Sequence, residues 1–172
     1  HVRAEFSDWG FAHWFLPRVV QALADKIVVV SKSVKEEVFS GQGLGKKKVT
    51  VVYDQGPDST IFYPQIDSKR IRDEFNLQLH DHVVTMIGKL TKRKGHETFV
   101  RAAAQVLKAF PEAVFFVVGG ALDAPHHQAY ARHLQNLPAS LGIEEQVKFT
   151  GFRSDVAEIM AVSDVIVHCS LY

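Results

Sequence analysis

The chain has 172 residues, 47% of them apolar, and its 20 Lys and Arg nearly balance 19 Asp and Glu for a formal charge of +1. That length and apolar content suffice to bury a sizeable core in one domain or one and a part, and the even balance of sign excludes a broad nucleic-acid footprint. The single cysteine, Cys169, excludes an intrachain disulfide, no apolar run approaches a membrane span and no signal-peptide pattern is present, so a cytoplasmic location is the expectation.

The first residues hold Trp9, Phe11, Trp14 and Phe15 close together and open without a cap, as expected of an interior starting point in a longer chain. Helix-type content at residues 17–25 precedes a continuous β-branched run at 27–30, expected as a buried parallel strand. Ser33 with Glu36 predicts a capping box, and Val34, Val38 and Phe39 give the following helix an inward face. The loop GQGLGKKK is no phosphate loop. It lacks the third glycine of the dinucleotide fingerprint, it precedes a strand where that fingerprint follows one, and no Ser or Thr follows Lys46. Residues 49–53 predict the next strand, residues 54–64 are rich in turn formers, and residues 68–75 predict a short charged helix.

The stretch VVTMIGKLTKRKGHETF at residues 83–99 organises the remainder. An apolar or small run at 83–87 stops at Gly88, and Lys89, Lys92, Arg93 and Lys94 crowd the next six positions before Gly95 opens a helix-period pattern. This reads as strand, basic turn, helix. A parallel α/β sheet places such turns at the carboxyl ends of its strands, where ligands bind, so the cations point toward a phosphate or diphosphate. Phe99, Ala103, Val106, Leu107 and Phe110 recur at helical spacing, and residues 113–118 form a fully apolar strand ending at Gly119 and Gly120, where backbone can approach a ligand closely. Together these predict a right-handed βαβ unit. Residues 122–127 read as a loop. Tyr130, Leu134, Leu137 and Leu141 mark a long helix that Pro138 is expected to interrupt and Gly142 to end. A strand at 147–150 closes at Gly151, Asp155 with Glu158 predicts a capped helix carrying Val156, Ile159 and Met160, and residues 164–169 form the last strand.

The fold class is therefore α/β, a Rossmann-like parallel sheet with helices on both faces. None of the nine histidines has partners at a recognised ligand spacing, so no metal site is expected. A dinucleotide oxidoreductase would need G-x-G-x-x-G after the first strand and an acidic residue about twenty positions on, and the chain has neither.

The order IGKLTKRKG, VVGG, VKFTGF, DVIVHCS resembles the carboxyl-terminal nucleotide-sugar domain of the family 4 retaining glycosyltransferases, which have the two-domain GT-B fold, and the similarity covers most of the chain. In that family the first strand of the second domain typically ends in Gly-Arg-Leu, followed by Lys-Gly, and the Arg and Lys hold the donor diphosphate. The matching positions are Gly88, Lys89, Leu90 and Lys94, Gly95, with Lys89 keeping the charge but not the bidentate fork of Arg. Gly151, Phe152 and Arg153 match the loop that presents backbone groups to the nucleotide, which implies Phe152 packing on a base and Arg153 free to reach phosphate or solvent; Gly119 joins them as nucleotide-binding. Gly56, Asp58, Phe62 and Pro64 match the spacing of the interdomain loop, from which Gln55 and Pro57 depart, and His1 with Arg3 match a His-x-Arg-like segment.

The resemblance implies residues 1–55 as the end of an amino-terminal, acceptor-side domain and 56–172 as a truncated nucleotide-sugar domain. It implies transfer of a sugar from a nucleotide-diphosphate sugar to the hydroxyl of a sugar, glycolipid or other alcohol with retention, in polysaccharide or glycolipid synthesis. No metal or other cofactor is implied, and the missing amino-terminal domain leaves room for peripheral membrane association at the cytoplasmic face. The family's Glu-x7-Glu segment would fall beyond Tyr172. No catalytic residue is therefore named, and this chain is expected to be a piece of a longer enzyme, inactive alone. A non-catalytic nucleotide- or phosphate-binding regulatory module is the alternative that shares the lysine turn.

Overall fold

The β-branched runs that predicted parallel strands form them in two separate sheets. The protein is represented by a computed structural model that describes residues 19–20, 22–39 and 48–171; the aromatic cluster at 9–15, His1, Arg3, most of the GQGLGKKK loop and Tyr172 lie outside the described residues. The chain divides into two compact units, His1–Pro57 and Asp58–Tyr172.

In the first unit, β1 (Ile27–Val29) and β2 (Val49–Val51) pair in parallel with Ile27 opposite Val49. Val29 and Val49 are buried, with Ile27, Val34 and Val51 packed around them. Val28 and Val30 are exposed, so the run is not buried on both faces as expected. The helix α1 (Lys32–Phe39) starts one residue ahead of the predicted cap, and it is the Ser31 hydroxyl that accepts from the Val34 N–H at 3.1 Å. Ser33 lies inside the first turn and cannot cap it.

The second unit is a four-stranded parallel sheet in the order β5-β4-β3-β6, built from β3 (Val83–Ile87), β4 (Val114–Val118), β5 (Val147–Gly151) and β6 (Val165–Val167). Its helices are α2 (Lys69–Glu74), α3 (His96–Val106), α4 (Pro125–Leu141) and α5 (Val156–Val162). Alternation along the strands sends Met86, Phe115 and Val117 to one face, against Phe99, Val100 and Leu134 of α3 and α4. Val83, Phe116 and Val118 go to the other, against Ile71 of α2 and Ile159 and Val162 of α5. Helices thus cover both faces of the central strands β3 and β4, which is why these read as continuous apolar runs, while Val165 and Ile166 of the edge strand β6 are exposed. The chain runs outward from β3 to β4 and β5, then returns to place β6 on the far side of β3. That reversal puts the carboxyl end of β3 at the topological switch point, the crevice where open α/β sheets bind ligands.

Three helix readings are corrected. The helix α4 begins at Pro125, inside the predicted loop, and runs through Pro138 without interruption. Pro138 removes a single N–H bond one turn from the helix end, while its ring is buried with Leu134 and Leu137. The left-handed Gly142 then closes the helix, with the Ile143 N–H donating to the Pro138 carbonyl at 3.0 Å. The buried face of α3 is His96, Phe99, Val100 and Ala103, whereas Val106 and Phe110 are exposed. Phe110 lies beyond the end of α3, where its ring is edge-on to that of His82, at 6.3 Å between ring centres. On α5 the buried residues are Ala157, Ile159 and Val162, and Met160 faces outward. Among the described residues no helix is long and apolar enough to cross a membrane.

Phe99 packs edge-on to Phe115 at 5.8 Å and Phe110 is 51% exposed, so the two phenylalanines of one predicted stripe should respond unequally to truncation. Phe99→Ala is expected to cost about 3–5 kcal/mol and Phe110→Ala less than about 1, read from urea unfolding midpoints.

Candidate functional site

Where β3, β4 and β5 end, backbone hydrogen bonds carry the pairing past the last strand residues. The Gly88 N–H donates to the Val118 carbonyl at 2.8 Å, Gly119 to Gly151 at 2.8 Å, and Leu90 to Gly120 at 3.0 Å. The result is a ledge of glycines. Gly119 has φ +142, and a Cβ there would stand 2.0 Å from the Gly88 carbonyl oxygen, so no other residue fits without moving the β3 end. The ledge is bare peptide at the switch point.

The basic turn rises from it. Leu90 is buried and anchors the start, and Lys92–Lys94 form one 3₁₀ turn closed by Gly95 at φ 75. A Cβ on Gly95 would fall 2.0 Å from the Cys169 carbonyl oxygen, and the Leu171 N–H donates to the Arg93 carbonyl at 2.8 Å. The segment after β6 therefore pins the turn from the far side. Lys89 and Lys92 are exposed, but Lys94 is half-buried, with its Cγ and Cδ in ordinary van der Waals range, 4.0 and 3.9 Å, of a Cβ built on Gly88. Of the cations in the turn, Lys94 is laid against the ledge, whereas Lys92 is turned to solvent.

The loop after β5 divides its residues sharply. Phe152 is 84% exposed, and its Cβ lies 3.9 Å from a Cβ built on Gly120, so its ring stands free at the edge of the ledge. Arg153 was expected to be free to reach phosphate, and it is not. Its guanidinium donates to both carboxylate oxygens of Asp155, at 2.8 and 2.7 Å, and to both of Glu74, at 2.5 and 2.8 Å. Its face lies 5.8 Å above the ring of Phe75, which in turn packs on Phe116 at 4.7 Å. Arg70 adds bonds to Asp155 and, at 2.9 Å, to Glu158. Arg153 holds the Asp155 carboxyl far below the usual carboxylate range. Asp155 sits at the cap position of α5 as predicted, but its side chain makes no cap bond because the two arginines take its oxygens.

Sequence reasoning missed His96. It is fully buried at the start of α3, and neither ring nitrogen has a hydrogen-bond partner. Burial pushes its pKa below 6.5, with Lys94 acting in the same direction and the backbone of Thr91 and Gly88 against it. The signal was present, since 96, 99, 100 and 103 are one i, i+3, i+4, i+7 stripe. The interdomain-loop match is a turn in which Asp58 accepts from the N–H and hydroxyl of Thr60 at 2.9 and 2.7 Å, with Phe62 partly exposed. Among the described residues no group of three His, Cys, Asp or Glu could hold a metal ion.

The family model described as Glycosyl transferases group 1 matches residues 67–172. D-inositol 3-phosphate glycosyltransferase of Corynebacterium kroppenstedtii is 26% identical over 147 residues, 83% of this chain and 32% of that protein. The enzyme of the same name from Corynebacterium aurimucosum is 30% identical over 122 residues, 67% of this chain and 28% of that one. A crystal structure of Anabaena Alr3699/HepE in complex with UDP-glucose superposes with a TM-score of 0.80 at 24% identity, over 99% of this chain and 46% of the other. The chain thus spans about a third of the length of the curated relatives it matches. The structural likeness shows the fold, a parallel α/β half of a larger molecule.

Gly119→Ala is expected to cost about 2–4 kcal/mol and Gly142→Ala, with open space around its Cβ, about 1, both read by chemical denaturation. For His96 the unfolded chain binds the extra proton as pH falls below 6.5, so the stability of the neutral ring is fully present above that pH and is lost below it. Denaturation midpoints are expected to fall between about pH 7 and about pH 5, and His96→Phe to flatten that slope.

Proposed function

This chain belongs to the group 1 glycosyl transferases, and from that premise we propose that the full protein moves a sugar from a nucleotide-diphosphate donor to an acceptor hydroxyl with retention of configuration. The unit with the four-stranded parallel sheet is taken as the donor half, the carboxyl-terminal Rossmann-like domain of a GT-B fold. We assign residues 1–55 to the end of the acceptor-side domain and 56–172 to the donor domain, with the enzyme working in the cytoplasm or at its membrane face. The observation that carries the reading is the half-buried Lys94 laid on the glycine ledge at the switch point.

In this reading the peptide of Gly88 lets the diphosphate approach, and Lys89 and Lys94 neutralise it. Gly119 and Gly151 keep side chains away from the nucleotide, and exposed Phe152 stacks on its base. Arg153, bound to Glu74 and Asp155, contributes by fixing that loop. As the glycosidic bond breaks, charge gathers on the leaving diphosphate, so cations fixed beside it stabilise the transition state more than the ground state. The relative crystallised with UDP-glucose supports UDP as the first nucleotide to test.

A charge-assisted hydrogen bond is worth about 1.5–3 kcal/mol, or roughly ten- to a hundredfold in affinity. Titration calorimetry of the full-length protein with UDP is expected to show that loss for Lys89→Ala and for Lys94→Ala, with uridine binding unchanged and unfolding midpoints barely moved. Lys92→Ala, in the solvent-facing 3₁₀ turn, should bind as wild type does. Equal losses for Lys92→Ala and Lys94→Ala would mean a diffuse positive patch and would sink the assignment.

A further inference from the structure

Two polar side chains are buried among the described residues, Thr85 and His96, and they are treated differently. The Thr85 hydroxyl pairs with that of Ser163 at 2.6 Å. Both nitrogens of His96 are left without a partner, in a position where a phenyl or thioether side chain would fill the space with no polar group to satisfy. An arrangement that is poor for stability points to a use elsewhere.

The location supplies the use. His96 is the first residue of α3, directly behind Gly95. The ring carbon Cε1, flanked by the two nitrogens, lies 4.0 Å from a Cβ built on Gly88, and the Lys94 Cδ lies 3.9 Å from the same point. Imidazole, lysine stem and the end of β3 meet there. The backbone groups of Thr91 and Gly88 act on the ring as acceptors that favour its charged form, although neither makes a hydrogen bond of good geometry. Gly88 and Thr91 are also the two ends of the Lys89–Leu90 step, held at their own spacing by the Leu90 to Gly120 and Thr91 to Lys89 bonds.

We propose that His96 is a positioning residue for the diphosphate site: its ring, set beneath the turn beside the backbone of Gly88 and Thr91, offers an N–H to one of those carbonyls and so fixes Lys89 and Lys94 against a bound diphosphate. The inference rests on the donor reading of those lysines. His96 never touches the ligand, since it lies wholly beneath the turn. It acts through the backbone that carries the lysines.

The test is a comparison of full-length wild type with His96→Phe, His96→Gln and Lys94→Ala, titrating UDP and uridine and measuring urea unfolding at about pH 7. His96→Phe is expected to be at least as stable as wild type and yet to bind UDP about three- to tenfold more weakly, the size of one hydrogen bond. Uridine affinity should be unchanged. His96→Gln, which keeps an N–H donor, should recover part of the loss, and KM for the donor sugar should rise in His96→Phe and less so in His96→Gln. Should phenylalanine not fold there, His96→Met makes the same comparison with a side chain that adapts to its cavity. Unchanged UDP affinity in the apolar variant, with Lys94→Ala still weakened, overturns the role of His96 and leaves the donor site standing. Unchanged affinity in Lys94→Ala overturns the donor site, and this inference with it. Failure of both apolar variants to fold, or equal loss of uridine and UDP, would show the ring to be a support of the core alone.

Discussion

Everything at the candidate site depends on how closely the carboxyl ends of β3 and β4 approach each other. The α-carbon of Gly119 lies so near the Gly88 carbonyl that a Cβ has no room, and the bonds Gly88 to Val118, Gly119 to Gly151 and Leu90 to Gly120 hold three strand ends at that distance. A side chain at that position would push the strands apart and take the floor of the site with it. Because the approach is set by backbone, the ledge keeps its shape whatever the neighbouring side chains do. The turn above it inherits that rigidity through buried Leu90 at one end and Gly95, pressed on the Cys169 carbonyl, at the other.

Positive charge around this ledge is split between two tasks. Arg153 and Arg70 are spent on Glu74, Asp155 and Glu158, joining the loop after β5 to α2 and α5. Planar, bidentate pairing suits guanidinium, and stacking on Phe75 adds to it. Among the described residues, Lys89 and Lys94 of the basic turn carry no comparable network, and an ammonium on a flexible stem can move where a paired guanidinium cannot. Arginine makes the frame, and in the proposed reading lysine makes the contact. Phe152 is left exposed by a protein that buries Phe116 and Phe115 completely or nearly so.

The buried, unpartnered His96 belongs to the same logic. Parallel sheets of this kind place their strain at strand ends, where a left-handed Gly95 and a Gly-only Gly119 also lie. The central strands are locally consistent, with apolar side chains covered on both faces.

Much of this was determined by the sequence alone. Short apolar runs rich in β-branched residues and bounded by turn formers read as strands, so the α/β class, the strand positions, the basic turn after residue 87 and the glycines at 88, 119 and 151 were legible from residue type and spacing. Tertiary structure decided what spacing cannot encode. The helical period predicted a stripe through Phe110, but α3 ends at Val106, and the stripe begins one turn earlier at His96. Pro138 predicted a break, and burial beside Leu134 held the helix together. Arg153 carries the same formal charge as Lys94 in sequence, and only the arrival of Glu74 from 79 residues away distinguishes a locked guanidinium from a cation laid on the ledge. Local pattern fixes which face of an element is apolar, because that depends on periods of two and 3.6. Which charges are satisfied depends on partners brought together by the strand order, and no local period contains them.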